Sequence, residues 1–153
     1  MITNVLLTGV GGQGTITASQ VLAEACLLQG WQIKKSEIHG MSQRGGSVES
    51  HVRFSPDSTV YSPTIPDGEV DVLLGFELLE ALRGLPQVKP EGTIIVDPRR
   101  IVPITVALGG PAYPEDALDR MQQSGRRVIV VPAFEEAEKL GEVRAANIVL
   151  LGA

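Results

Sequence analysis

Glycines at positions 9, 11 and 14, in the run Gly9-Val10-Gly11-Gly12-Gln13-Gly14, follow a short apolar segment, Val5 to Leu7. A helical apolar period begins near Thr15, with Ala18, Val21, Leu22, Ala25 and Leu28 expected on its buried face. Glycine has no Cβ and reaches positive φ, so a loop of this kind turns sharply and lets a ligand approach the backbone. The helix behind it presents unpaired N–H groups and the positive end of its dipole, which favours an anion such as a phosphate. Gly9, Gly11, Gly12, Gln13 and Gly14 are therefore candidate binding residues. The same spacing also serves simply to pack a strand closely on a helix, and the motif alone leaves both roles open.

A second polar, glycine-bearing stretch runs from Ser36 to Gly46. Within it Gln43, Arg44, Gly45 and Gly46 are the further candidates, because a planar guanidinium beside exposed backbone N–H groups suits phosphate or carboxylate. A solvated loop arginine is the competing role for Arg44. Glu37 stands near the spacing of a ribose-binding acid, but local pairing with Lys35 or Arg44 is favoured. His39 is expected as a hydrogen-bonded loop residue rather than an acid–base catalyst, since no partnered nucleophile or metal set accompanies it. Met41 is expected to fill core beneath the loop, Lys34 and Lys35 to end a strand in solvent, and Arg99 and Arg100 to form a surface pair.

These residues need elements to hold them. The pattern predicts strands over 4–8, 31–37, 47–54, 71–76, 93–97 and 127–131. It predicts helices over 15–29, ended by Gly30, and over 77–83, 115–123, 134–140 and 144–151. Residues 101–114 read as irregular. Strands alternating with helices imply an α/β, doubly wound, mostly parallel sheet with a Rossmann-like first βα unit. Such sheets place ligands at the carboxyl ends of their strands, so segments 9–14, 37–46, 76–77 and 97–100 should share one edge. A length of 153 residues suits one domain, and the apolar start at 144–151 implies that C-terminal helical sequence is missing.

Composition removes several classes. A net charge of −5 argues against a dedicated nucleic-acid binder. Nothing resembles a signal peptide or a membrane span, which makes the cytoplasm the default location. Cys26 is the one cysteine; it is expected as a buried, inert thiol and cannot by itself ligate an iron–sulfur cluster. The two histidines, His39 and His51, have no metal-ligand spacing, and there is no P-loop or nucleophile elbow. On these grounds an NAD(P)-binding Rossmann module and a nonenzymatic scaffold remain alternatives.

Taken together, 9–14 and Ser36-Glu37-Ile38-His39-Gly40-Met41-Ser42-Gln43-Arg44-Gly45-Gly46-Ser47-Val48 resemble the gamma subunit or domain of the 2-oxoacid:ferredoxin oxidoreductases. Tyr61 to Asp71 and Phe76 to Leu82 are most similar to one branch, the beta subunit of indolepyruvate:ferredoxin oxidoreductase, and Arg144-Ala145-Ala146-Asn147 also matches. The resemblance covers essentially the whole chain. It implies a subunit, inactive alone, of an enzyme that decarboxylates a 2-oxoacid to an acyl-CoA and reduces ferredoxin. The 2-oxoacid would be indolepyruvate or another arylpyruvate, with pyruvate, branched-chain oxoacids and 2-oxoglutarate as alternatives. It further implies that thiamine diphosphate, magnesium and the iron–sulfur clusters sit on a large partner subunit, with coenzyme A as a substrate, and that no cofactor is held tightly here. The two glycine-bearing loops would either hold an anionic part of coenzyme A or dock the partner.

Overall fold

Leu6 and Leu7 are both fully buried. Successive strand side chains face opposite sides of a sheet, so this pair requires helices on both faces. The computed structural model describes residues 1–40 and 45–153; Met41, Ser42, Gln43 and Arg44 lie outside them. Six strands, β1 (Thr3–Val10), β2 (Gln32–His39), β3 (Ser47–Ser55), β4 (Val70–Gly75), β5 (Val88–Val96) and β6 (Arg127–Val130), form one sheet in the order β2-β3-β1-β4-β5-β6. The helices are α1 (Thr15–Leu28), α2 (Leu78–Gly84), α3 (Ile104–Ala107), α4 (Ala117–Gln122), α5 (Ala133–Lys139) and α6 (Ala146–Gly152).

One core lies under α2 and α4, where Leu6, Leu73, Ile94 and Val96 meet Leu78, Ala81, Ala117 and Met121. The other lies under α1, α5 and α6, where Leu7, Val52 and Leu74 meet Ala18, Ala133 and Leu150. Each fully buried leucine contributes roughly 1.5–3 kcal/mol by leaving water. Among the described residues no helix is long and apolar enough to cross a membrane.

The predicted α/β, mostly parallel architecture is present, with one difference. β4 runs parallel to β1, β5 to β4 and β6 to β5, but β3 is antiparallel to both β1 and β2. Residues 40–46 are too short for the crossover that a parallel neighbour needs, which takes about a dozen residues or more, so the chain reverses instead. β2 therefore points the same way as β1, and its end at His39 lies level with the end of β1 across the intervening β3. β5 starts at Val88, earlier than its apolar run suggests, and residues 101–114 contain the single turn α3.

α1 keeps the expected period but not the expected phase. Thr15, Ala18, Ser19, Ala23 and Cys26 are buried, whereas Val21 and Leu28 are exposed. Apolar residues surround this helix, so hydropathy alone does not choose the face; small residues pack closest to the sheet. Gly30 ends it at φ 73°. The Cys26 thiol is buried, and burial raises its pKa.

Candidate functional site

The chain leaves β1 toward β3 on one side and β4 toward β5 on the other. The switch point therefore falls between β1 and β4, above which the 9–14 loop stands. Gln13 fastens this loop. Its Oε1 accepts from the Val10 N–H at 2.8 Å and its Nε2 donates to the Phe76 carbonyl at 2.8 Å. Both ends of the amide are thus used internally, and Gln13 holds the loop against β1 and Phe76.

Gly9 has no space for a side chain: a Cβ there would lie 2.6 Å from Thr15 Oγ1 and 3.1 Å from Gln13 Oε1. Gly14 caps α1 at φ 80° and faces Asn147, whose Nδ2 donates to the Gly14 carbonyl at 3.1 Å. Gly12 is exposed, and a Cβ there would meet nothing within 4 Å. So Gly9 and Gly14 are closely packed, while Gly12 forms an open crest. The first turn of α1 has no side-chain cap and no acidic residue, which leaves its dipole uncompensated. Thr15 Oγ1, beside this turn, is buried with no hydrogen-bond partner among the described residues.

The second loop meets the first through its backbone. The Gly11 N–H donates to the Gly46 carbonyl at 2.8 Å, and the Gly45 N–H to the Gly11 carbonyl at 3.4 Å. These bonds continue the β1–β3 ladder beyond its last pair, Val10 and Ser47. Gly9, Gly11, Gly12, Gln13, Gly14, Gly45 and Gly46 are thus brought together; Gln43, Arg44 and Met41 lie outside the described residues.

Two clefts flank the glycine crest. One, of about 460 Å³, is lined by Val10, Gly11, Thr15, Ile16, His39 and Val48. The other, of about 730 Å³, lies over β4 and β5 between Phe76, Asp97, Arg99, Phe134 and the 142–148 turn, with Gly12 and Gly14 as its shared wall. Both volumes fall in the range of small-molecule sites.

Several single-residue expectations resolve here. Glu37 pairs with Lys35 at 2.7 Å, the local role favoured for it, and Lys34 is exposed. His39 Nδ1 sits 3.2 Å from the Gly40 carbonyl. Arg99 and Arg100 are not a surface pair. Arg100 bonds Glu115, while the Arg99 guanidinium lies 3.8 Å above the Phe134 ring. Asp97, at the carboxyl end of β5, causes this divergence. Its Oδ1 accepts from the Arg99 N–H at 3.1 Å and its Oδ2 from the Phe134 N–H at 2.8 Å, which fixes the chain turn and the start of α5 together. Burial pushes the Asp97 carboxyl above its usual value, against the pull of these two N–H groups.

Two features escape inspection of the sequence. Asn147 seats the 142–148 turn on the glycine loop, although the Arg144–Asn147 resemblance marks its neighbourhood. Glu77 and Glu80 are buried carboxylates beneath the site. Glu80 accepts from Ser47 Oγ at 2.5 Å and from Arg83 Nη1 at 2.7 Å, which anchors the start of β3 just after the second loop. Even so, burial dominates and raises its pKa above the ordinary 4.5. The folded state therefore holds this proton more tightly than the unfolded chain. Its contribution favours folding at low pH and is lost as pH rises through 4.5 toward the folded value. Glu80→Gln is expected to gain stability relative to the unsubstituted chain between about pH 4 and pH 7, read from urea midpoints. A constant difference across that interval counts against a raised Glu80 pKa.

The family model for pyruvate ferredoxin/flavodoxin oxidoreductase matches residues 4–153. The indolepyruvate oxidoreductase subunit IorB of Archaeoglobus fulgidus is 41% identical over 151 residues, covering 97% of this chain and 74% of that protein. Two solved structures share the fold. The keto/oxoacid ferredoxin oxidoreductase gamma subunit from Geobacter sulfurreducens PCA has a TM-score of 0.65 and 24% identity, covering 98% of this chain and 73% of its own. The 2-oxoglutarate:ferredoxin oxidoreductase from Magnetococcus marinus, with 2-oxoglutarate, coenzyme A and succinyl-CoA bound, has a TM-score of 0.73 and 21% identity, covering 99% of this chain and 23% of its own.

Proposed function

Because the chain belongs to the pyruvate ferredoxin/flavodoxin oxidoreductase family, we propose that it is the small subunit of an indolepyruvate-type 2-oxoacid:ferredoxin oxidoreductase. In that complex its two glycine-bearing loops hold an anionic part of coenzyme A. The substrate assignment rests on the 41% identity to the A. fulgidus indolepyruvate oxidoreductase subunit. The observation that carries the coenzyme A role is the backbone junction of Gly11 with Gly45 and Gly46, directly beside the uncapped start of α1. It holds the second loop against the unpaired N–H groups at the start of α1, and the sequence adds the Arg44 guanidinium to that loop.

A lone buried thiol cannot ligate an iron–sulfur cluster, and among the described residues no set of three or more His, Cys, Asp or Glu side chains is placed to hold a metal. The reading therefore assigns thiamine diphosphate, magnesium and clusters to a large partner subunit, which reduces ferredoxin in the cytoplasm. This chain's part is to bind and position the acyl acceptor.

In the reconstituted complex, Arg44→Ala should raise the KM for coenzyme A by about 10-fold or more, the loss expected for one charge-assisted contact, with little change in decarboxylation of the 2-oxoacid. An unchanged coenzyme A dependence removes the ligand role and leaves the loops as a docking surface for the partner.

A further inference from the structure

The larger cleft contains an arginine with no carboxylate. Arg83, Arg100 and Arg144 are ion-paired to Glu80, Glu115 and Glu142, and Arg53 and Arg126 donate to carbonyls and an amide. Arg99 differs. Among the described residues its guanidinium has no ion-pair partner and no hydrogen-bond acceptor; it rests on one aromatic face, that of Phe134. Stacking fixes the plane of the guanidinium and leaves its N–H edge free for a planar, two-point contact with an oxyanion.

The surroundings keep that edge available. Asp97 shares the cleft, but its two oxygens are engaged by the backbone N–H groups of Arg99 and Phe134. Glu142, also on the cleft wall, is held by Arg144 at 2.9 Å. The cleft lies at the carboxyl ends of β4 and β5 beside the switch point, where open α/β sheets receive ligands. It opens across Gly12 onto the smaller cleft, whose Val10, Ile16 and Val48 suit an uncharged chain.

We propose that Arg99 binds the 3′-phosphate of a 3′-phosphoadenosine moiety, so that one extended ligand straddles the glycine crest. The 3′-phosphate end occupies the Arg99–Phe134 cleft, the pyrophosphate crosses Gly12 at the start of α1, and the uncharged arm runs through the smaller cleft. This rests on the coenzyme A reading and adds to it the residue that selects for the 3′-phosphate.

The test compares coenzyme A with dephospho-coenzyme A, which lacks that phosphate, in the complex carrying Arg99→Gln or Arg44→Ala. The glutamine retains a planar end over Phe134, and circular dichroism together with retained decarboxylation verifies folding. The unsubstituted enzyme should prefer coenzyme A, and Arg99→Gln should raise the KM for coenzyme A by about 10- to 100-fold, leave that for dephospho-coenzyme A unchanged, and so abolish the preference. Arg44→Ala should raise both alike. If Arg99→Gln changes neither KM, or both equally, the 3′-phosphate assignment is overturned. If in addition Arg44→Ala changes neither, the coenzyme A reading falls with it; if Arg44→Ala still raises both, that reading stands alone.

Discussion

Glu77→Ala is expected to lower the free energy of unfolding by about 3–5 kcal/mol, the range for removing one partner of a buried charged network. Glu77 has no exposed surface and stands two residues past the end of β4, at the N-cap of α2. Its Oε2 accepts from the Glu80 N–H at 2.9 Å. Its Oε1 accepts from the Ile101 N–H at 3.1 Å and from the Tyr113 hydroxyl. Truncation leaves all three donors without a carboxylate, uncaps α2 and frees the 101–114 segment from the sheet. Each unpaired buried donor costs about 1–3 kcal/mol and a lost cap about 0.5–2 kcal/mol, so the range stands even if water restores one bond. Glu77→Gln keeps one acceptor oxygen but sets an amide NH₂ against a donor, and should lose about half as much. Urea titration measures both. Tyr113 provides a second readout: burial, then its bond to Glu77, holds the phenol above its ordinary 10. Ultraviolet titration of the folded alanine variant should bring that value down. A loss below about 1 kcal/mol with an unmoved phenol would mean that Glu77 is not the centre of this network.

Gly14→Ala should cost about 2–4 kcal/mol and do so through two separable causes. The first is conformational: φ is 80°, where an L-residue loses roughly 1–2 kcal/mol. The second is steric. The new Cβ would run into the Asn147 amide, whose Cγ would stand 3.0 Å away. Asn147 is 5% exposed and bonded to the Gly14 carbonyl, so it has little room to retreat. Asn147→Ala alone should cost about 0.5–1.5 kcal/mol for the lost hydrogen bond. Combined with Gly14→Ala it removes the collision but not the strain, so the double variant should be more stable than the sum of the single losses. A strictly additive cycle would falsify the close packing of Asn147 on the loop. Both variants disturb the seat of the 142–148 turn on the wall of the larger cleft.

Much of this molecule is legible before folding. Paired apolar residues such as Leu6-Leu7, Leu73-Leu74 and Ile94-Ile95 require a sheet covered on both faces, because strand side chains alternate. The glycine spacing demands a tight strand–helix turn, and a lone cysteine excludes cluster ligation. These are local or compositional constraints, and each follows from a residue and its immediate neighbours.

What only the tertiary structure decided depends on separation along the chain. The hydropathy of α1 does not choose its buried face; the sheet selects the small residues Ala18, Ala23 and Cys26. The reversal into β3 follows from a short connection, but its insertion between β2 and β1 is a pairing choice. The glycine motif requires a tight turn, but that Gly9 packs on Thr15, Gly14 on the distant Asn147 and Gln13 on Phe76 is set by the fold. Arg99 and Arg100 are adjacent and chemically identical. One becomes an exposed partner of Glu115 and the other a guanidinium stacked on Phe134, because Asp97 ties the nearby Arg99 N–H and the distant Phe134 N–H to one carboxylate. Short-range sterics and hydropathy are encoded residue by residue. The roles of polar groups depend on which distant atoms the packed core brings within hydrogen-bonding reach.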